Sequence, residues 1–106
     1  MTSRILIRPS AWRELDDQAE YLARTSVATA QRFQEATEQT FQDIARMPEV
    51  GSPYPMANLR LQGLRCWPVG GFKNHLIFYR PVDGGVEVLH ILHGARNIPG
   101  ILEEKS

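Results

Sequence analysis

Two glycine turns, Gly70-Gly71 and Asp83-Gly84-Gly85, constrain this chain more than any other feature. They divide the stretch from Gly63 to Asn97 into three segments that read as strands: Leu64 to Val69, Phe72 to Arg80 and Val86 to His93. Pro68 cannot donate a ladder hydrogen bond, which places it at a sheet edge or near the end of its strand. The same stretch holds all three His and the only Cys. What precedes it reads as packing for this sheet.

Arg4 to Arg8 alternates charged and apolar residues and predicts a short first strand, ended by Pro9. Ser10 is then the expected N-cap of a helix from Ala11 to Arg24. Its apolar stripe is Trp12, Leu15, Ala19 and Leu22, with Glu14, Asp17 and Arg24 away from it. Thr25 and Ser26 break the pattern and cap a longer helix, Val27 to Arg46, whose stripe is Ala30, Phe33, Thr37, Phe41 and Ile44, with Met47 beside it. Pro48 and Gly51 stop it. Residues 49–58 predict an irregular loop, and Leu59 to Gln62 a short extended piece. The tail, residues 95–106, contains Pro99 and Gly100 and predicts at most one short helical turn. The order β-α-α-β-β-β argues for an α+β fold, with a two-helix hairpin on one face of a mainly antiparallel sheet.

At 106 residues the chain predicts one domain, with residues 98–106 as a tail. Its apolar runs are too short to span a membrane. The start, MTSRILIRPS, is too short and polar for a signal peptide, and one Cys forms no internal disulfide, so a cytoplasmic protein is expected. Net charge is zero, but residues 1–50 carry six Arg against eight Asp or Glu, whereas residues 51–102 carry five basic against two acidic residues. The sheet half is thus mildly basic and fits an acidic partner.

Strict alternation puts Leu76 and Phe78 on one sheet face and Ile77 and Tyr79 on the other. In the last strand it groups Val86, Val88 and Leu92 against Leu89 and Ile91. Both faces are apolar, and two helices cover only one, so the second face is expected to meet a partner. His90 and His93, three apart on a strand, point to opposite faces and do not converge on one ion; no metal or cofactor is expected. Cys66 reads as a small core residue. Arg65, Tyr79, Arg80, His93 and Arg96 form the inventory of a metal-free ribonuclease, with Arg for phosphate and His or Tyr for proton transfer. No parity argument puts all five on one face.

Met47-Pro48-Glu49-Val50-Gly51 after a long helix, Gly63-Leu64-Arg65 opening a strand, Val69-Gly70-Gly71-Phe72 leading to Leu76-Ile77-Phe78-Tyr79-Arg80, and Val86 to Asn97 ending in Leu92-His93-Gly94-Ala95-Arg96-Asn97 occur in this order. Together they resemble the RelE/ParE superfamily of toxins, and the ParE branch above all, from the first strand to about Ile101. The resemblance implies the toxin of a bacterial type II toxin–antitoxin pair, silenced in a hetero-oligomer by a small, often acidic antitoxin. The ParE branch implies DNA gyrase as target, blocked without enzymatic activity and without direct sequence-specific nucleic-acid binding. The RelE branch implies messenger RNA cleavage in the ribosome, which would rest on Arg65, Tyr79, His93 and Arg96. A third possibility is a chain that binds antitoxin and has lost toxicity. Ribosome binding through phosphate demands a basic protein, and a pI of about 6.8 favours the ParE side. A partner laid on the sheet is expected to meet Arg65, Trp67, Tyr79, Arg80, His90, His93 and Arg96. The chain departs from the family pattern at His90, where Arg is expected, at Asn97 for Asp, and at His75 for Tyr.

Overall fold

A computed structural model describes residues 4–105; the first three residues of the N-terminal stretch and Ser106 of the tail lie outside it. The elements are β1 (Arg4–Ile7), α1 (Pro9–Ala23), α2 (Val27–Arg46), β2 (Ser52–Pro53), β3 (Arg65–Val69), β4 (Phe72–Val82), β5 (Gly85–His93) and α3 (Ile98–Lys105). The sheet order is β1-β5-β4-β3-β2, with β1 parallel to β5 and the other pairs antiparallel. The expected α+β architecture, helix hairpin and two glycine turns are therefore all present. Gly71 and Gly84 adopt φ of +79° and +78°, the left-handed backbone that tight hairpins require. Pro68 lies past the reach of β2, which pairs only with Arg65 and Cys66, so its missing donor costs no ladder bond on that side.

Local chemistry differs from expectation at the start of α1. Pro9 occupies the first turn, where its missing N–H is no loss, and Arg8 rather than Ser10 precedes the helix. Ser10 instead donates its hydroxyl to the Leu89 carbonyl at 2.8 Å. At α2 the expected cap is present: Ser26 Oγ accepts the Thr29 N–H at 3.1 Å. Residues 59–61 form a 3-10 turn, not an extended piece, because Asn58 caps it by accepting the Arg60 N–H. On α1 the buried stripe is Ala11, Leu15 and Ala19, and Trp12 is pushed to the rim; Met47, beyond α2, is also exposed.

Two apolar clusters sandwich the sheet. On the helix side Leu15, Phe33, Phe41 and Ile44 pack against Ile77, Tyr79, Val86, Val88 and Ile91. On the other side Phe78, Leu89 and Leu92 are covered by Leu61, Leu64, Ile98 and Leu102, with Tyr54 and Met56 beside them. This overturns the expectation that the second face awaits a partner: over this central part the 54–64 segment and the tail cover it. The tail does so as a helix of eight residues, because Pro99 falls in its first turn, where proline starts a helix rather than breaking one. Alternation also fails along β5. Phe78 pairs with His90 while Tyr79 pairs with Val88, so Leu89 is an extra, bulged residue. The bulge reverses the phase and sends Ile91 to the helix side and Leu92 to the far side, opposite to strict alternation.

Candidate functional site

The expected site residues fall into three separate places. The first is a clamp on the turn after α2. Tyr79, fully buried on β4, donates its hydroxyl to the Pro48 carbonyl at 2.8 Å and accepts the Gly51 N–H at 2.8 Å. Its cross-strand neighbour Arg65 donates Nη1 to the carbonyls of Gly51, at 2.6 Å, and Glu49, at 3.2 Å. A Cβ on Gly51 would stand 2.7 Å from the Tyr79 hydroxyl, so only glycine fits. The Met47–Gly51 segment, Arg65 and Tyr79, far apart in sequence, are thus one physical unit. Burial, ahead of the neighbouring charges and bonds, pushes the Tyr79 phenol up, so it stays protonated at neutral pH. Trp67, next along β3, is half-buried against the helix-side core. Cys66 packs beside the far-side core, and burial pushes its thiol up to about 11, which makes it a poor nucleophile.

The second place is the edge of β5. β1 ends at Ile7, and from Leu89 onwards β5 has no strand beside it on that side. Ser10, Glu14 and Gln18, one helical turn apart on α1, replace the missing strand. Ser10 takes the Leu89 carbonyl, Glu14 accepts the Ile91 N–H at 3.0 Å, and Gln18 donates to the Ile91 carbonyl at 2.7 Å. Glu14 therefore points at the sheet, although its position off the apolar stripe predicts solvent. It also meets Nδ1 of His90 at 3.0 Å. His90 is completely buried, which removes it from any surface a partner can touch.

Gln18 leads to the third place, a cleft of about 400 Å³ lined by Asp17, Gln18, Tyr21, His75, His93 and Arg96. Here His93 and Arg96 come together with a residue that sequence reasoning missed, His75. A two-residue turn at Asp83-Gly84 sets His75 opposite Leu92; the bulge at Leu89 moves the register by one and brings His93 opposite it, ring centroids 5.1 Å apart. A carbonyl only accepts, so Gln18 turns its NH2 to Ile91 and its oxygen to His75, whose Nδ1 lies 2.7 Å away. His75 therefore carries its proton on Nδ1, leaving Nε2 as an acceptor. His93 is set the other way: its Nδ1 accepts the Ala95 N–H at 3.1 Å, so its neutral form carries the proton on Nε2. That tautomer does not suit a shared metal, since a ligating Nε2 would turn the Nδ1 proton against Ala95. Burial first, and then the charge of His93, holds His75 below the usual histidine range.

Arg80 belongs to neither the clamp nor the cleft. Its Nε donates to Glu87 Oε1 at 2.8 Å, while Arg8 Nε donates to Glu87 Oε2 at 3.1 Å. Burial raises the Glu87 carboxyl, but these two arginines outweigh it and hold it below the usual range. Tyr79 and His75, four residues apart on β4, are separated by roughly 13 Å, so Arg65 and Tyr79 do not share a site with His93 and Arg96.

None of the described helices is long and apolar enough to cross a membrane. No curated protein matches the chain. The family described as ParE toxin of type II toxin-antitoxin system, parDE, matches residues 5–98, from β1 to the start of α3. Within the matched span, Met47–Gly51, Arg65 and Tyr79 hold one turn in place. With a match over most of its length, the chain belongs to the ParE toxin family of type II toxin–antitoxin systems.

Proposed function

We propose that this toxin inhibits DNA gyrase, and through it replication, without being an enzyme, and that a cognate antitoxin silences it in the bacterial cytoplasm. One observation carries this over message cleavage: Tyr79, one of the set a ribonuclease would need, is spent on backbone groups of the 48–51 turn, and Arg65 commits its Nη1 to the same turn. The phenol is buried and bonded on both sides, and Arg65 holds the Glu49 and Gly51 carbonyls with Nη1. A net charge of zero agrees, because a ribosome-directed enzyme draws its affinity from many basic contacts. The test is controlled expression in a bacterial host. Gyrase poisoning gives filamentation and induction of the DNA-damage response, relieved by co-expressing the small acidic protein of an adjacent reading frame. Growth arrest with falling protein synthesis and intact DNA would contradict the proposal.

A second reading has one observation of its own. The cleft sets an acceptor nitrogen on His75 beside a donor nitrogen on His93, with Arg96 on the same wall. That is a proton-transfer pair next to an anion-binding group. It favours the ribonuclease reading with His93 and Arg96 in it and Arg65 and Tyr79 outside it. Under that reading His93→Ala abolishes message cleavage in a translation extract; under the gyrase reading no cleavage is there to lose.

A further inference from the structure

The cleft beside β5 carries two charges that the fold leaves unused. Asp17 on α1 and Arg96 on the turn after β5 both line it and are both exposed. Neither side chain makes an ion pair, with the other or with any of the described residues. The carboxylates nearby are committed: Glu14 to His90 and the Ile91 N–H, Glu87 to Arg8 and Arg80. Opposite charges in one cleft count against its simplest occupants. An inorganic anion drawn to Arg96 meets the Asp17 carboxylate, and a metal ion drawn to Asp17 meets the Arg96 guanidinium. A fitting ligand carries both hydrogen-bond donors and acceptors.

The imidazole pair sharpens this requirement. Gln18 cannot turn its amide over, because its NH2 is committed to the Ile91 carbonyl at 2.7 Å. It therefore keeps the His75 proton on Nδ1, and Nε2 accepts. Burial holds His75 below the usual histidine range, which preserves that acceptor at neutral pH. The Ala95 N–H fixes His93 the other way, so its Nε2–H donates. The cleft thus offers two acceptors, Asp17 and His75 Nε2, beside one uncharged donor, His93 Nε2–H. Among the nucleobases only guanine presents the complement on one edge: an amino group, a ring N–H and a carbonyl. Adenine has the amino group and a bare ring nitrogen, which would leave one acceptor of the cleft unmet. A free amino acid could pair with both charges but leaves the imidazoles without a role. Tyr21, 69% exposed, adds an aromatic wall to a cleft of about 400 Å³, within the size range of small-molecule sites.

We propose that this cleft binds a free guanine nucleotide. Asp17 and His75 Nε2 accept from the amino group and ring N–H of the base, and His93 Nε2–H donates to its carbonyl. Tyr21 packs against the ring, and Arg96 holds the phosphate. No bond is made or broken there. The inference therefore goes beyond both readings of the toxin's action and shares only a location with the second.

The test is calorimetric titration of the full chain with guanosine 5′-monophosphate, adenosine 5′-monophosphate, inorganic phosphate and glutamine. The guanine nucleotide binds, the adenine nucleotide binds at least about tenfold more weakly, and phosphate and glutamine give no measurable heat. Asp17→Ala weakens the guanine nucleotide about tenfold and leaves inosine 5′-monophosphate, which lacks the amino group, nearly unchanged. Arg96→Gln weakens the guanine nucleotide and leaves guanosine, which lacks the phosphate, unchanged. Both side chains are exposed and hold no ion pair among the described residues, so melting stays that of wild type. Nitrogen-15 spectra of the imidazoles show Nε2 of His75 and His93 shifting with the nucleotide while each tautomer is kept. The proposal is overturned if the guanine nucleotide does not bind, or if the adenine nucleotide, phosphate or glutamine binds as tightly. Unweakened binding by either variant overturns it too, as does an equal loss of inosine 5′-monophosphate in Asp17→Ala. Supercoiling and message cleavage are read in separate assays, so failure of this site and failure of the toxin reading are visible independently.

Discussion

Tyr79→Phe separates a structural tyrosine from a catalytic one. The substitution keeps the ring, and with it the packing against the helix-side core, and removes one oxygen. That oxygen serves two backbone groups, donating to Pro48 and accepting from Gly51, each at 2.8 Å. The Gly51 bond is buried, and its N–H has no other partner within reach; the Pro48 carbonyl is partly open to water. The buried Gly51 N–H left unpaired costs about 1–3 kcal/mol and the partly wet Pro48 carbonyl about 1 kcal/mol, so the sum is ~2–4 kcal/mol. For a chain of this size that lowers the melting temperature by roughly 10–25 °C. Urea unfolding followed by tryptophan fluorescence measures the free energy directly. Arg65→Ala removes the second hold on the same turn, so the double variant should lose less than the sum of the two single losses. A loss below about 0.5 kcal/mol would refute the clamp, given that intermolecular terms play no part in it. So would abolished toxicity with stability intact, since that outcome assigns the hydroxyl a chemical role.

Leu102→Ala should cost ~2–5 kcal/mol and raise the binding of a hydrophobic dye, because it opens the far-side core that α3 closes; unchanged stability and dye binding would mean that α3 does not close it. Gly85→Ala should be among the most damaging single-methyl additions, since its Cβ would stand 1.9 Å from the Arg4 carbonyl oxygen and force β1 off the sheet; hydrogen exchange of the β1 amides reads this, and unchanged protection would contradict it. His75 is held below its ordinary value of 6.5, so the unfolded chain binds the proton first. Stability from this group is complete above about pH 6.5 and is lost as pH falls from there through the lowered folded value. His75→Gln should flatten that part of the stability curve, and equal slopes in both proteins would contradict it.

The fold was legible wherever one local rule governed. The helix pair follows from periodicity and the Ser26 cap, and both hairpins follow from glycine at positive φ. What stayed hidden rests on long-range geometry. A single bulged residue, Leu89, reverses the phase of β5 and sets the partner of His75, and nothing in the local pattern of Val86–His93 marks it. Glu14 reads as a surface residue because helical periodicity sees only α1; the bare edge of β5 that draws it inward lies 77 residues away. The tail was misread because Pro99 breaks a helix from inside but begins one from its first turn. Of the candidate site residues, Arg65 and Tyr79 were legible as neighbours of a loop only after the loop had a position, whereas the pairing of His93 with Arg96 follows from their closeness in sequence.

The central claim, a gyrase-directed toxin rather than a ribonuclease, is tested most directly with the purified chain in two reactions side by side. One is ATP-dependent DNA supercoiling by gyrase; the other is translation of a defined message in a bacterial extract. The account predicts that supercoiling stops and cleaved DNA accumulates while the message stays whole and is translated. Translation arrested with a cut message, and gyrase unaffected, would contradict it.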